Sequence, residues 1–308
     1  MSRIHEALKR VQQELDAAQG NHAERSGEPA ANPTVMPVLS VLDSIRSRVP
    51  PAPAPKAEPL SLDALREHCP LSKWSPDTKT MLFFNPDEQA YGSEQFRTLR
   101  SRLYQLREQQ NLKKVLVTSA LPKEGKSFVA ANLAQAIVRQ QGRSALLIDA
   151  DLRAPRLHSA LGAASTPGLS EYLLGEADVL KIVQRGPMED LFFIPSGREV
   201  SNPAELLAGD RLPFLLQNLE PIFDWIIIDS PPAVPVTDAG LLGKYCDGVL
   251  LVVRSNLTPF DAAQKARDEF SDKHLLGIVF NGIGLNSLPY TRYYYSSYVR
   301  PNGKQEKR

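Results

Sequence analysis

Lys126 and Ser127 stand near the end of the stretch Lys113–Phe128, KKVLVTSALPKEGKSF. An ammonium and a hydroxyl placed just after a glycine, where a helix begins, are suited to a nucleoside triphosphate. The lysine reaches the terminal phosphates and the hydroxyl ligates magnesium. Lys123, Glu124, Gly125 and Phe128 flank them, and the backbone N–H groups of such a loop cradle phosphate oxygens. The pattern reads A-x4-G-K-S, with Ala120 where a glycine is usual. The alternative is a glycine turn with a solvated lysine. Three carboxylates join the set. Asp149 and Asp151 follow the apolar run Ala145–Ile148, two residues apart, where both can approach one magnesium and a γ-phosphate, or where one can cap the next segment. Asp229 follows four hydrophobic residues in FDWIIIDSPP and reads as the second magnesium carboxylate.

These groups need elements to position them. Val115–Thr118 reads as a buried strand, Phe128–Gln141 as a helix ended by Gly142, and Ala145–Ile148 as a second strand. LFFIPSG, DWIIID, CDGVLLVVR and LLGIVFNGI, the last ending at Asn281, bring the count to six, alternating with helical stretches. Near-continuous apolar strands between helices predict an α/β fold: a mostly parallel sheet flanked by helices on both faces, as in P-loop NTPases. Upstream, Asp87–Gln109 has helical spacing, with Pro86 near its start. Glu94, Arg97 and Arg100 share one face of it, either as a solvated charged face with an intrahelical ion pair or as a contact between copies.

The rest of the chain bounds the function. Its 308 residues carry a formal net charge of +1, which argues against a nucleic-acid partner held by phosphate contacts. Two distant cysteines, Cys69 and Cys246, give neither a disulfide framework nor a zinc site and predict a reducing, cytoplasmic setting. Neither a signal-peptide pattern nor an apolar run of about 20 residues is expected. Residues 1–19 have an amphipathic stripe of Ile4, Ala7, Leu8, Val11, Leu15 and Ala18, fit to dock on the chain's own domain or on a partner. Residues 20–80 read as a proline-rich linker, with eight prolines between Pro29 and Pro59. The main domain is expected over 81–288 and a tail over 289–308. Five of the nine tyrosines, Tyr290, Tyr293, Tyr294, Tyr295 and Tyr298, crowd that tail, and no period aims them all at one core.

From about Leu82 to Tyr298 the chain resembles the bacterial tyrosine kinases that autophosphorylate and govern polysaccharide export and chain length. The likeness rests on ALPKEGKS, LLIDADLR, IIIDSPP, GLSEYLLGE, NPAELLA, VTDAGLLGKYCDGVLLVV, the EQFRTLR helix and the tyrosine cluster. The resemblance implies ATP and Mg2+ as cofactors, with Lys126 and Ser127 on phosphates and metal. Asp149 would bear on the incoming phenol and the metal, and Asp151 and Asp229 would complete the metal site. Asn281 would read adenine, and Glu94, Arg97 and Arg100 would build a ring of unphosphorylated copies in which one tail enters the next site. It further implies a transmembrane chain-length adaptor (a polysaccharide co-polymerase), a cognate tyrosine phosphatase, and a place at the periphery of the inner membrane. The family's loop commonly has glycine where Lys123 stands. A ParA/MinD-type ATPase switch is the first competing reading, although its signature lysine is replaced by Leu121. A nucleotide-binding scaffold without catalysis is the second.

Overall fold

The computed structural model describes residues 60–69, 71–84, 92–270 and 275–283. The N-terminal helix over 1–19, the proline-rich stretch up to residue 59, Pro86, Asp87 and the tyrosine tail lie outside the described residues.

The apolar runs form a seven-stranded sheet. In chain order the strands are β1 (Lys114–Ser119), β2 (Ala145–Asp149), β3 (Gln184–Arg185), β4 (Leu191–Ile194), β5 (Trp225–Asp229), β6 (Gly248–Arg254) and β7 (Leu275–Asn281). Their spatial order is β3-β4-β2-β5-β1-β6-β7. Only the β3–β4 pair is antiparallel; the others are parallel. The expected parallel sheet is present, with one strand more than the six read from the sequence. β3 is two residues long, too short to leave a periodic signal.

Side chains alternate across the pleat into two cores, which is why the strands read as continuous hydrophobic runs. Leu116, Ile148, Ile194, Ile228 and Leu251 face one core, shared with helices Leu169–Leu173, Pro203–Ala208 and Arg211–Leu219. Val115, Val117, Leu147, Ile227 and Val252 face the other. There they meet α2 (Ser93–Gln109) and α3 (Lys126–Val138). In α2, Phe96, Leu99, Leu103 and Leu106 repeat at three- and four-residue steps and lie on that core.

The folded unit starts well before residue 81, a correction to the linker expected over 20–80. Leu62–His68 forms α1, whose N-cap Ser61 hydroxyl accepts the Ala64 N–H at 3.1 Å. Leu65 is fully buried, and Trp74, Met81 and Phe83 enter the core beside α3. Asn132, buried on α3, accepts the Leu82 N–H and donates to the Thr80 carbonyl, both at 2.8 Å. Prolines around a few widely spaced large side chains hid this packing. α2 is described from Ser93, with Gly92 as its left-handed N-cap, rather than from Asp87.

Trp74 lies on Gly186, where a Cβ would drive into the indole ring. Gly186→Ala is therefore expected to destabilise the domain by about 2 kcal/mol, as overpacking does. Denaturant unfolding checks this, with tryptophan fluorescence reporting the displaced ring.

Candidate active site

β5 lies between β1 and β2, so these strands end side by side. Asp149 and Asp229 are register partners, as are Val117 and Asp229. The sheet edge thus gathers the two strand-end aspartates next to the loop that leaves β1. That loop enters α3 through Gly125, whose φ of 98° is left-handed. A Cβ at Gly125 would collide with the Asn281 amide, which comes in from the end of β7. Lys123 also has a left-handed φ, 66°. The loop therefore keeps at Lys123 a backbone shape that glycine adopts without strain, at a cost of about 1–2 kcal/mol.

Lys126 and all three aspartates meet here. The Lys126 ammonium donates to Asp151 Oδ2 at 2.7 Å and lies 3.8 Å from Asp229 Oδ1. Its Nζ is 3.4 Å from Ser127 Oγ. Asp149 and Asp229 have no exposed surface, and Asp151 and Lys126 are nearly as enclosed. The segment leaving β2 folds around the carboxylates. Asp149 Oδ1 accepts the Asp151 N–H at 3.3 Å and its Oδ2 accepts Leu157 N–H at 3.1 Å. Asp151 Oδ1 accepts Ala154 N–H at 3.0 Å.

This crowding shifts the proton affinities. Burial pushes the Asp149 pKa well above the ordinary carboxylate value, and the Asp229 charge pushes it further, against the Leu157 N–H and Lys126. Burial raises Asp229 too, with Lys126 and the Ser127 hydroxyl opposing. For Lys126, burial acts to lower the pKa, but Asp229 and Asp151 outweigh it and the net shift is upward. The two aspartates bind protons more tightly folded than unfolded. The stability they favour is present below the ordinary aspartate value near 4 and is lost as pH rises through their raised folded values. The ligand-free protein is therefore expected to lose thermal stability between about pH 4 and neutrality through these groups. Asp149→Asn should flatten that slope in a pH series of melting temperatures.

The donor set fits magnesium. Both oxygens of Asp229 are buried without a hydrogen bond and the Lys126 ammonium stands off at 3.8 Å, so the carboxylate is left open to a metal cation. Among the described residues no three acidic, imidazole or thiol side chains form a metal cluster. Two carboxylates and a hydroxyl (Asp151, Asp229 and Ser127) suffice for an ion that keeps waters and shares substrate phosphates.

Other expected residues sit as follows. Phe128 packs edge-on against Phe96, ring centroids 5.7 Å apart. The Asn281 amide donates to the Glu124 carbonyl at 2.8 Å, and its oxygen accepts Gly282 N–H at 2.9 Å, so Asn281 is bonded to the phosphate loop. On α2, Glu94 pairs with Arg97 in the same helix. Arg97 also covers the Phe83 ring, and Arg100 donates to the Ala136 carbonyl on α3 at 2.6 Å. Residues the sequence reading passed over also act here. Arg153 grips Asp238, at the start of helix Asp238–Gly243, with two bonds of 2.8 and 2.9 Å. This ties the aspartate-bearing segment to the helix behind it. Arg254, the last residue of β6, and Thr258, just beyond it, bond to the loop. Their one sequence signal is polarity at the exit of an apolar strand.

Comparison with known proteins places this geometry. An AAA-domain family model matches residues 123–261. The tyrosine-protein kinase YwqD of Bacillus subtilis is 38% identical over 210 residues, covering 68% of this chain and 88% of YwqD. The chain belongs to the bacterial tyrosine kinases. Another member, the tyrosine-protein kinase Wzc of Salmonella typhimurium, is 31% identical over 70% of this chain, which spans only 30% of Wzc. Among solved structures, the kinase domain of the Escherichia coli tyrosine kinase ETK superposes with a TM-score of 0.62 at 31% identity, over 65% of this chain and 80% of that one. The BceF tyrosine kinase domain gives 0.59 at 33% identity, over 65% of this chain and 81% of its own. Among the described residues no helix is long and apolar enough to cross a membrane.

Proposed function

We propose that the chain is an ATP-dependent, non-specific protein-tyrosine kinase that phosphorylates its own C-terminal tyrosines, Tyr290, Tyr293, Tyr294, Tyr295 and Tyr298. Through that cycle it would regulate the chain length and export of an exopolysaccharide or capsule. The observation that supports this reading is the meeting of one ammonium with three enclosed carboxylates at a phosphate loop, in a chain of this kinase family.

Phosphoryl transfer passes through a loose transition state, so the protein positions groups and neutralises charge. Lys126 would swing from Asp151 to the β- and γ-phosphates, while loop N–H groups and the positive end of α3 hold the remaining oxygens. Ser127, Asp151 and Asp229 would hold magnesium, which when bound supplies the charge that lets phosphates approach these carboxylates. Asp149 is the candidate base. A phenol has a pKa near roughly 10, and a carboxylate whose proton affinity is raised by burial is better matched to it. The phenolic proton would pass to the Asp149 carboxylate as the oxygen attacks the γ-phosphorus and ADP leaves.

The assembly follows from the same reading. Unphosphorylated copies would form a ring through Glu94, Arg97 and Arg100, each tail reaching the next copy's site. Each phosphate adds about −1.5 to −2 charge, and several would expel the tail and disperse the ring. A cognate phosphatase would reset it. A transmembrane chain-length adaptor would hold the protein at the cytoplasmic face of the inner membrane. Purified protein given Mg-ATP, with and without the adaptor's cytoplasmic fragment, tests the activity. Phosphotyrosine should accumulate; steady ATP hydrolysis with no phosphotyrosine in either sample would instead favour the ATPase switch.

A further inference from the structure

Glu124 is a carboxylate inside a loop built for anions, where its charge would repel phosphate. Only 4% of its surface is exposed. Both of its oxygens are committed elsewhere. Oε2 accepts the Leu121 N–H at 2.9 Å, closing the loop on itself. Oε1 accepts the Thr258 hydroxyl proton, and that hydroxyl in turn accepts Arg254 N–H at 2.9 Å. The Arg254 guanidinium donates to the Lys123 carbonyl at 2.9 Å, and the Asn281 amide takes the Glu124 carbonyl at 2.8 Å. The ends of β6 and β7 thus grip two consecutive residues of the loop, one of them held left-handed without being glycine.

We infer that Glu124 is a positioning residue: its bond to Thr258 fixes the shape of the phosphate loop from outside, in a loop that has Ala120 and Lys123 where glycines are common. The carboxylate touches no phosphate. It sets where the N–H groups of Gly125, Lys126 and Ser127 point, and so how tightly a nucleotide is held. The segment Arg254–Thr258 becomes part of the nucleotide site although none of its side chains needs to contact ligand.

The inference rests on the proposed nucleotide reading, and the test separates the two. Mg-ADP dissociation constants are measured by calorimetry on the full chain, well below the melting temperature. Thr258→Val should weaken Mg-ADP about tenfold, the value of one charge-assisted hydrogen bond, and Glu124→Ala, which also frees the Leu121 N–H, at least as much. The double variant should lose less than the two single losses combined, because both remove the Glu124–Thr258 bond while each also removes one bond of its own. Thr258→Ser, which keeps the hydroxyl, should stay within about twofold of the parent. A contact that served stability alone would lower the melting temperature and leave these constants unchanged. Unchanged constants in a folded Thr258→Val protein, or additive losses in the double variant, would overturn the inference. A parent protein that binds no Mg-ADP would fail the nucleotide reading itself, and the inference would fall with it.

Discussion

Lys126→Met should abolish tyrosine phosphorylation and also weaken the ligand-free fold. Methionine keeps the length of the side chain and removes its charge. With nucleotide bound, the lost ammonium is a principal neutralising group for the transferring phosphate, and removing such a group costs about 10^3-fold or more in rate. Without nucleotide, the same ammonium is the cation facing Asp151 at 2.7 Å and Asp229 at 3.8 Å in an enclosed site. Taking it away leaves three carboxylates with less compensation, which costs roughly 3 kcal/mol in comparable buried pairs. Asp149 and Asp229 should recover part of this by binding protons, so the loss should be larger at pH 8 than at pH 5. Phosphotyrosine formation and melting curves at the two pH values check both halves. Stability that is unaffected at either pH would show that the ammonium does not compensate these carboxylates.

Asp229→Asn should also cost activity heavily and shift stability the other way. Its carboxylate is fully buried, it has no hydrogen-bond partner on either oxygen, and burial keeps it hungry for a proton. A neutral amide of the same shape removes a buried charge that the Lys126 ammonium, 3.8 Å away, compensates only in part in the ligand-free protein. Thermal stability at neutral pH should rise by about 1 kcal/mol, the usual sign when a strained functional group is neutralised. The reaction should slow by about 10^2- to 10^3-fold, since magnesium would lose one of two carboxylates and its phosphate clamp would loosen. Two variants that both lose phosphorylation while moving stability in opposite directions would mark the site as a metal-nucleotide centre. If Asp229→Asn destabilised the protein as Lys126→Met does, the carboxylate would instead be a structural partner of the lysine.

Much of the frame was legible because burial on both faces of a parallel sheet leaves a strong mark. Leu146–Ile148 and Ile226–Ile228 are uninterrupted apolar runs, and an aspartate ends each strand. Lys126, Asp149, Asp151 and Asp229 could be named because each occupies a strand exit or the helix start at one sheet edge. Contacts between segments distant in sequence were not legible. Arg254 reaches Lys123 across 131 residues, and Thr258 reaches Glu124 across 134. Neither spacing is periodic. Residues 60–80 carry the sequence marks of a linker because prolines precede them and their anchors, Leu65 and Trp74, are far apart. The left-handed backbone at Lys123 leaves no trace in composition, since a lysine there looks merely like an added charge. Glu94 and Arg97 share a face as their spacing requires, and in the single chain they pair with each other.

The most direct test is where the phosphate goes. Purified protein incubated with Mg-ATP, digested and sequenced by tandem mass spectrometry, should carry phosphate on tyrosines between Tyr290 and Tyr298. Those peptides should be unmodified in Asp149→Asn. Tail tyrosines left bare while ATP is consumed, or tail phosphorylation undiminished in Asp149→Asn, would contradict the account.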